Sequence, residues 1–282
     1  MENLILRGAP VRERLTEQLK KSCDALGERG IIPRLGIFRM GEKADDLSYE
    51  RSLLKYMKSI GVAVTISALA ENESEASAEE AFSALCSQND IDGVLPLMPL
   101  PPHCCGLLRR LPPEKDVDGL RGRESRFSPC TPEAALAFAD YYDLLPPDAA
   151  VTVIGRSELV GAPLAQLLRE RGFDVRVVHS RTPDPFSAVR HGDVVFSAVG
   201  NPRFLDERYL RSGQTVIDIA VCADDNGGLC GDLDPTAAER LGLRFSSVPG
   251  GVGLVTVSIL VRHILASCEE RRCRDGKISL EA

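Results

Sequence analysis

The stretch V-T-V-I-G-R-S-E-L-V-G-A-P at 151–163 constrains the fold more than any other part of this 282-residue chain. Val151–Ile154 is an apolar, β-branched run and reads as a buried parallel strand. Gly155 follows at once, and Gly161 opens a helical pattern with Leu164, Leu167 and Leu168 on its apolar side. Strand, tight glycine turn and helix together aim backbone N–H groups and a helix N-terminus at a phosphate. The spacing G-x-S-x-x-x-G departs from the usual G-x-G-x-x-G, and glycines also end strands for structural reasons alone, so the turn by itself does not decide. Two further segments add to it. His179-Ser180-Arg181-Thr182 follows the next strand, Asp174–Val178, and Ser197-Ala198-Val199-Gly200 ends the strand after that. Three successive strands then finish in small or polar residues on one edge, where ligands of open α/β sheets bind. The second half of the chain reads as a nucleotide-binding unit.

The rest of the chain repeats this alternation. A helix is expected over 11–29, strands over Arg34–Arg39, Val62–Ser67 and Ile91–Leu97, and helices from Asp45 or Asp46, as cap, to Ile60 and over Ser74–Gln88. Alternating strands and helices imply parallel sheets with helices on their faces, an α/β fold. Pro112, Pro113 and Gly119–Arg123 mark a loop out of the first lobe, and Thr131-Pro132-Glu133 reads as a capped helix start with an N1 proline. The domains expected are residues 1–130 and 131–253, with a helix over 254–282 after them. The charged end, Glu269–Ala282, is expected to fray.

Composition narrows the function. A net charge of −7 argues against nucleic acid as the main partner. No run of 18 apolar residues and no signal-peptide pattern is evident, so a cytoplasmic protein with no membrane partner is expected. The nine cysteines are scattered, odd in number and without C-x-x-C, which predicts buried thiols rather than disulfides. No metal site is expected from these spacings and four histidines.

Seven segments, in order, resemble the bifunctional methylenetetrahydrofolate dehydrogenase/cyclohydrolase family. They are D-D-L-S-Y at 45–49, D-G-V-L at 92–95 with P-L-P-P at 99–102, K-D-V-D-G at 115–119, P-C-T-P at 129–132, G-R-S-E-L-V-G-A-P at 155–163, H-S-R-T at 179–182 and V-P-G-G-V-G at 248–253. The resemblance implies a folate-binding lobe, completed by the C-terminal helix 254–282, and a Rossmann-type lobe with a cleft between them, a homodimer, and tetrahydrofolate one-carbon derivatives as substrates. It implies catalytic roles for Tyr49 and Asp118, with Pro99, Pro249, Gly250 and Gly253 also against the substrate. Asp118, an acceptor-only carboxylate, would take the N–H groups of the pterin. Pro249, Gly250, Gly251 and Gly253 would form a wall that only small residues allow. On the cofactor side Gly155, Ser157, Val160 and Gly161 would hold a pyrophosphate, with His179, Ala198 and Gly200 on the neighbouring strand ends. Arg156, Ser180 and Arg181 would take a 2′-phosphate. The second strand ends V-V-H-S-R with no carboxylate, which favours NADP over NAD.

The departures from the family matter as much. The family's lysine four residues after the tyrosine is here Leu53, and its glutamine before P-L-P-P is Leu97. Lys55 is the nearest lysine and the remaining candidate base, but it lies roughly 160° around a regular helix from Leu53. Smaller departures are Leu254 for a proline, Ala220 for a glycine and Cys222 where asparagine is frequent. Loss of both members of one polar pair predicts a dehydrogenase whose cyclohydrolase activity is weak or lost. The rival readings are a fully bifunctional enzyme, a non-catalytic folate- or nucleotide-binding relative, and another NADP-dependent dehydrogenase on a similar frame.

Overall fold

The computed structural model describes residues 5–224 and 227–278. From the N-terminus the elements are β1 (Ile5–Leu6), α1 (Gly8–Glu28), β2 (Arg34–Met40), α2 (Ala44–Ile60), β3 (Ala63–Leu69), α3 (Glu75–Ser87) and β4 (Gly93–Pro96). A 3-10 segment, Pro102–Arg110, precedes α4 (Cys130–Tyr141), β5 (Val151–Ile154), α5 (Gly161–Glu170), β6 (Val175–Val178), α6 (Pro185–His191) and β7 (Val194–Ser197). Then come β8 (Thr215–Asp218), β9 (Cys222–Ala223), β10 (Leu229–Cys230), α7 (Pro235–Arg240), β11 (Arg244–Ser246) and α8 (Thr256–Ile278).

These elements form two units, Met1–Arg14 with Pro129–Val257, and Leu15–Ser128 with Ser258–Ala282. The second unit holds a parallel sheet in the order β3-β2-β4. Its centre strand β2 is buried from Leu35 onward, as its apolar run requires. Phe38 meets Phe82 of α3 edge-to-face at 5.0 Å, and Leu85, Ile91, Leu107 and Leu111 close the core around them. The first unit holds a six-stranded, all-parallel sheet in the order β1-β11-β8-β7-β5-β6. Chain order reverses at β5, with β6 on one side and β7 on the other. Crevices that accept ligands open at such a reversal, beyond the carboxyl ends of the strands. Val189, Val195, Val216, Leu233 and Phe245 fill the core of this sheet.

Several local expectations change. Residues 5–6 belong to the nucleotide-type unit, because β1 pairs with β11 through Ile5↔Phe245 and Leu6↔Ser246. The N-cap of α2 is Lys43, with no side-chain cap. Asp45 and Asp46 sit in the first turn instead, where carboxylates complement the helix dipole. Thr131 does not cap α4, which starts at Cys130 after Pro129. Ser74 does cap α3, its hydroxyl accepting from Ser77 N–H at 3.2 Å. The charged C-terminal stretch is helical to Ile278, and 279–282 lie outside the described residues. Glu270 there pairs with Arg126, and Arg271 donates to the carbonyls of Ile91 and Asn89. Residues 252–272 are long and apolar enough by length and composition to cross a membrane, although no unbroken run of 18 apolar residues is present. Most of that stretch is buried in the protein, so its apolarity is that of a core helix. Of the eight described cysteines, all free, six are buried, Cys222 is half-buried and Cys105 is exposed.

Candidate functional site

In the first unit the three strand ends singled out by sequence lie side by side, since β5 pairs with β6 on one edge and β7 on the other. Gly155 has φ +109°, and a Cβ there would stand 2.5 Å from the Ala198 carbonyl oxygen. A Cβ on Gly161 would stand 2.4 Å from the Gly155 oxygen. The two loops touch through bare backbone, so neither position admits a side chain. The first turn of α5 contributes less than the sequence implies. Gly161 N–H donates to Ser157 Oγ at 3.3 Å, Ala162 N–H to Ser157 O at 3.1 Å, and Pro163 has no N–H. The loop 156–160 is thus the part of the turn that faces outward, and Arg156 and Ser157 are exposed. The His179–Thr182 turn is held by its own bonds: Arg181 N–H to His179 Nδ1 at 3.1 Å, and His179 N–H to Thr182 Oγ1 at 3.0 Å. That leaves Ser180 and Arg181 exposed beside the end of β6. These residues fit a phosphorylated dinucleotide.

Sequence reasoning missed the residue that shapes the third loop. Asp232, fully buried, accepts Ser197 Oγ–H at 2.7 Å and the N–H groups of Val199, Gly200 and Asn201 at 2.8–2.9 Å. One carboxylate therefore folds the chain at Gly200, with charge-assisted bonds. The only trace in sequence is an aspartate after a glycine, far along the chain. Asp218, at the end of β8, accepts N–H groups from Ala220 and Leu233. Burial pushes its carboxyl up to about 7, against the pull of the Leu233 N–H and with help from the neighbouring Asp232.

The V-P-G-G-V-G segment follows β11. Gly8 N–H donates to Gly250 O at 2.7 Å, and Gly250 has φ +93°. A Cβ on Gly251 would meet the Ser247 carbonyl at 2.2 Å. Small residues are required at 250 and 251. At Gly253 the space is open and the residue exposed, so the steric argument for a wall does not extend to it. Pro249 follows a cis peptide bond, as does Pro99 in the other unit.

In the second unit Tyr49, Pro99 and Asp118 come from segments that follow the carboxyl ends of the adjacent strands β2 and β4. Tyr49 is 46% exposed on α2, Pro99 is exposed, and Asp118 is half-buried. Asp118 ends a heavily braced loop. Lys115 is buried and donates to the carbonyls of Cys86 and Gln88 at 2.6 and 2.7 Å. Desolvation lowers its pKa, and the Arg271 charge adds to that. Asp116 accepts the N–H groups of Leu120 and Arg121. Val117 O accepts from His263 Nδ1 of α8 at 2.9 Å, so that nitrogen carries the proton. Phe127 stacks on the same imidazole at 4.4 Å. His263 is a second residue that sequence reasoning missed.

The helix α2 runs unbroken from Ala44 to Ile60. Leu53 is buried and Lys55 exposed, so the structure does not bring Lys55 to the side that Leu53 occupies. Leu97, just past β4, is also buried, its N–H bonded to Phe38 O at 2.8 Å. One turn before Leu53, Glu50 pairs with Arg39 of β2 at 2.9 Å in the interior, and Arg39 also donates to Gly41 O.

Comparison with known proteins places both units. Residues 129–272 match the family model for the tetrahydrofolate dehydrogenase/cyclohydrolase NAD(P)-binding domain, and residues 6–118 match that family's catalytic domain. The chain is 35% identical over 276 residues to the "Bifunctional protein FolD" of Clostridioides difficile (strain 630), covering 94% of this chain and 96% of that one. Among solved structures it resembles the bifunctional enzyme FolD from Campylobacter jejuni, with TM-score 0.87, 27% identity, and 95% and 99% of the two chains covered. It also resembles the Trypanosoma brucei N5,N10-methylenetetrahydrofolate dehydrogenase-cyclohydrolase, solved with NADP cofactor and inhibitor. There the TM-score is 0.83 with 28% identity, over 94% and 97% of the chains.

Proposed function

The chain belongs to the tetrahydrofolate dehydrogenase/cyclohydrolase family, and on that premise we propose that it oxidises 5,10-methylenetetrahydrofolate to the methenyl form with NADP and hydrolyses the product weakly or not at all. Bound NADP in its oxidised form supplies the hydride acceptor. The carbon that gives up the hydride lies between two folate nitrogens that share the resulting positive charge, so no strong base is asked of the protein. Its task is positioning. Asp118 accepts the pterin N–H groups, Tyr49 stacks on or hydrogen-bonds the folate ring system, and Pro99 packs against it. Gly155, Ser157, Val160 and Gly161 cradle the pyrophosphate, with His179, Ala198 and Gly200 beside it. Arg156, Ser180 and Arg181 take the 2′-phosphate, which predicts a higher kcat/KM with NADP than with NAD.

The burial of Leu53 and Leu97, 1% and 7% exposed, carries the hydrolytic half of this reading. Water attack on the methenyl carbon gains from acid–base assistance, worth about 10²–10⁴ in rate. Two leucines offer none, and Lys55 faces solvent. The test is a paired assay of methenyl formation from methylenetetrahydrofolate and of enzyme-dependent methenyl loss. Oxidation without hydrolysis is expected, and a Leu53→Lys/Leu97→Gln double variant should gain hydrolysis. Leu53→Lys alone should not, because it buries an ammonium without a partner. Hydrolysis by the unaltered protein at a rate matching its oxidation would overturn the proposal in favour of the bifunctional reading, which the names of the relatives favour. The resemblance further supports a cytoplasmic homodimer, which light scattering on purified protein would test for assembly.

A further inference from the structure

Cys222 and Cys230 stand directly opposite each other in the antiparallel ribbon β9–β10. Both are free thiols. Opposed residues of an antiparallel pair have Cα atoms about 4.5–5.5 Å apart and side chains on the same face. Disulfides span roughly 4.4–6.8 Å between Cα atoms. Cys222 is half-buried and Cys230 buried, so Cys222 is the more accessible of the two. The other neighbouring pair in sequence differs. Cys104 points into the core of the second unit while Cys105 is exposed, so their side chains diverge.

The ribbon is wired to the loop at Gly200. Cys230 is followed by Gly231, where a Cβ would stand 2.1 Å from Asp218 Oδ2 and 2.9 Å from Val248 Cγ2. The backbone there has no slack. Gly231 O accepts from Arg203 N–H at 2.9 Å, and the next residue is Asp232, whose carboxylate folds residues 197–201.

We propose that Cys222 and Cys230 form an oxidative modification site, converted by a small-molecule disulfide into a reversible cross-strand bridge that weakens dinucleotide binding. The Cys222 thiolate attacks one sulfur of the small disulfide and expels one thiolate. Cys230 then attacks the Cys222 sulfur of the mixed disulfide and expels the second. Two protein thiols are oxidised, and one small disulfide is reduced to two thiols. Closing the bridge draws Cys230 toward Cys222, and the tight fit at Gly231 passes that pull to Asp232 and its four bonds. Burial raises the Cys222 thiol above its ordinary value, and Asp232, Cys230 and Asp218 add to this, so the bridge forms faster as pH rises. The effect on the dinucleotide rests on the function proposed above, whereas the bridge itself does not.

The experiment treats the full-length protein with oxidised glutathione, then maps disulfides by mass spectrometry and measures NADP binding before and after. A Cys222–Cys230 linkage reversed by dithiothreitol is expected, absent in Cys222→Ser, with NADP binding weakened by about fivefold or more in the oxidised wild type only. Free thiols at both positions, or pairing of either with another cysteine, would overturn the site. A mapped bridge with unchanged NADP affinity would overturn the coupling. Absence of NADP binding in the reduced protein would instead count against the function proposed above, and the mapping would still decide the bridge.

Discussion

Asp118 owes its position to a side chain from the far end of the chain. His263 holds the carbonyl of Val117, the residue before it. A hydrogen bond of this kind contributes on the order of 1 kcal/mol, so His263→Ala should raise KM for the folate substrate about fivefold. It should leave KM for NADP unchanged, and steady-state kinetics with each substrate varied would show the split. Asp218 sets a pH dependence of stability. Its carboxyl titrates near 7 in the folded chain, well above the ordinary carboxylate value of 3.8. The folded state then holds a proton that the unfolded state releases between those values. Stability from this group is complete below about pH 4 and lost as pH rises through about 7, a change on the order of a few kcal/mol. Urea unfolding at pH 5 and 8 should show the decline, and Asp218→Asn should flatten it. Neither residue was legible in sequence, because a histidine in an apolar helix and an aspartate after a strand resemble ordinary core and loop residues until their partners are known. The backbone crowding at Gly155, Gly161 and Gly251 was legible through their motifs. At Gly253 crowding was not legible, since a motif does not say which of its glycines is crowded.

Among the elements, legibility followed the clarity of the period. The strand Val151–Ile154 and the start of α5 at Gly161 agree with the sequence reading to the residue, since an apolar run between a turn and a glycine admits few alternatives. The helix caps were misplaced at α2 and α4, where suitable polar residues lie one or two positions inside the helix. Strand β1 has two residues and exists only through its pairing with β11, so no local pattern could announce it. The helix α2 is fixed to β2 by the interior pair Arg39–Glu50. Removing one partner of a buried ion pair costs roughly 3–5 kcal/mol, whereas replacing both with apolar groups is often neutral. Glu50→Leu should therefore destabilise the protein strongly, and Arg39→Leu/Glu50→Leu should recover most of the loss in equilibrium unfolding.

The whole molecule is woven rather than strung. Each unit takes one segment from the middle of the chain and one from an end. The sequence shows two α/β lobes but not this exchange at the N-terminus, because long-range strand pairing leaves no local signal. In the unit built on β2, Ser267 of α8 donates to the carbonyls of Asp92 and Glu114, and Ile264 and Cys268 are fully buried. A chain ended at Val257 should lose that unit's protease resistance while 129–257 keeps its own, as limited proteolysis with peptide mapping would show. The same weave sets a timetable for synthesis. On a ribosome adding about 5–20 residues per second, the segment Leu15–Ser128 waits on the order of ten seconds for its last helix to be made. During that interval its apolar surface has no cover of its own, so the nascent chain, rather than the finished protein, is where a chaperone would find work.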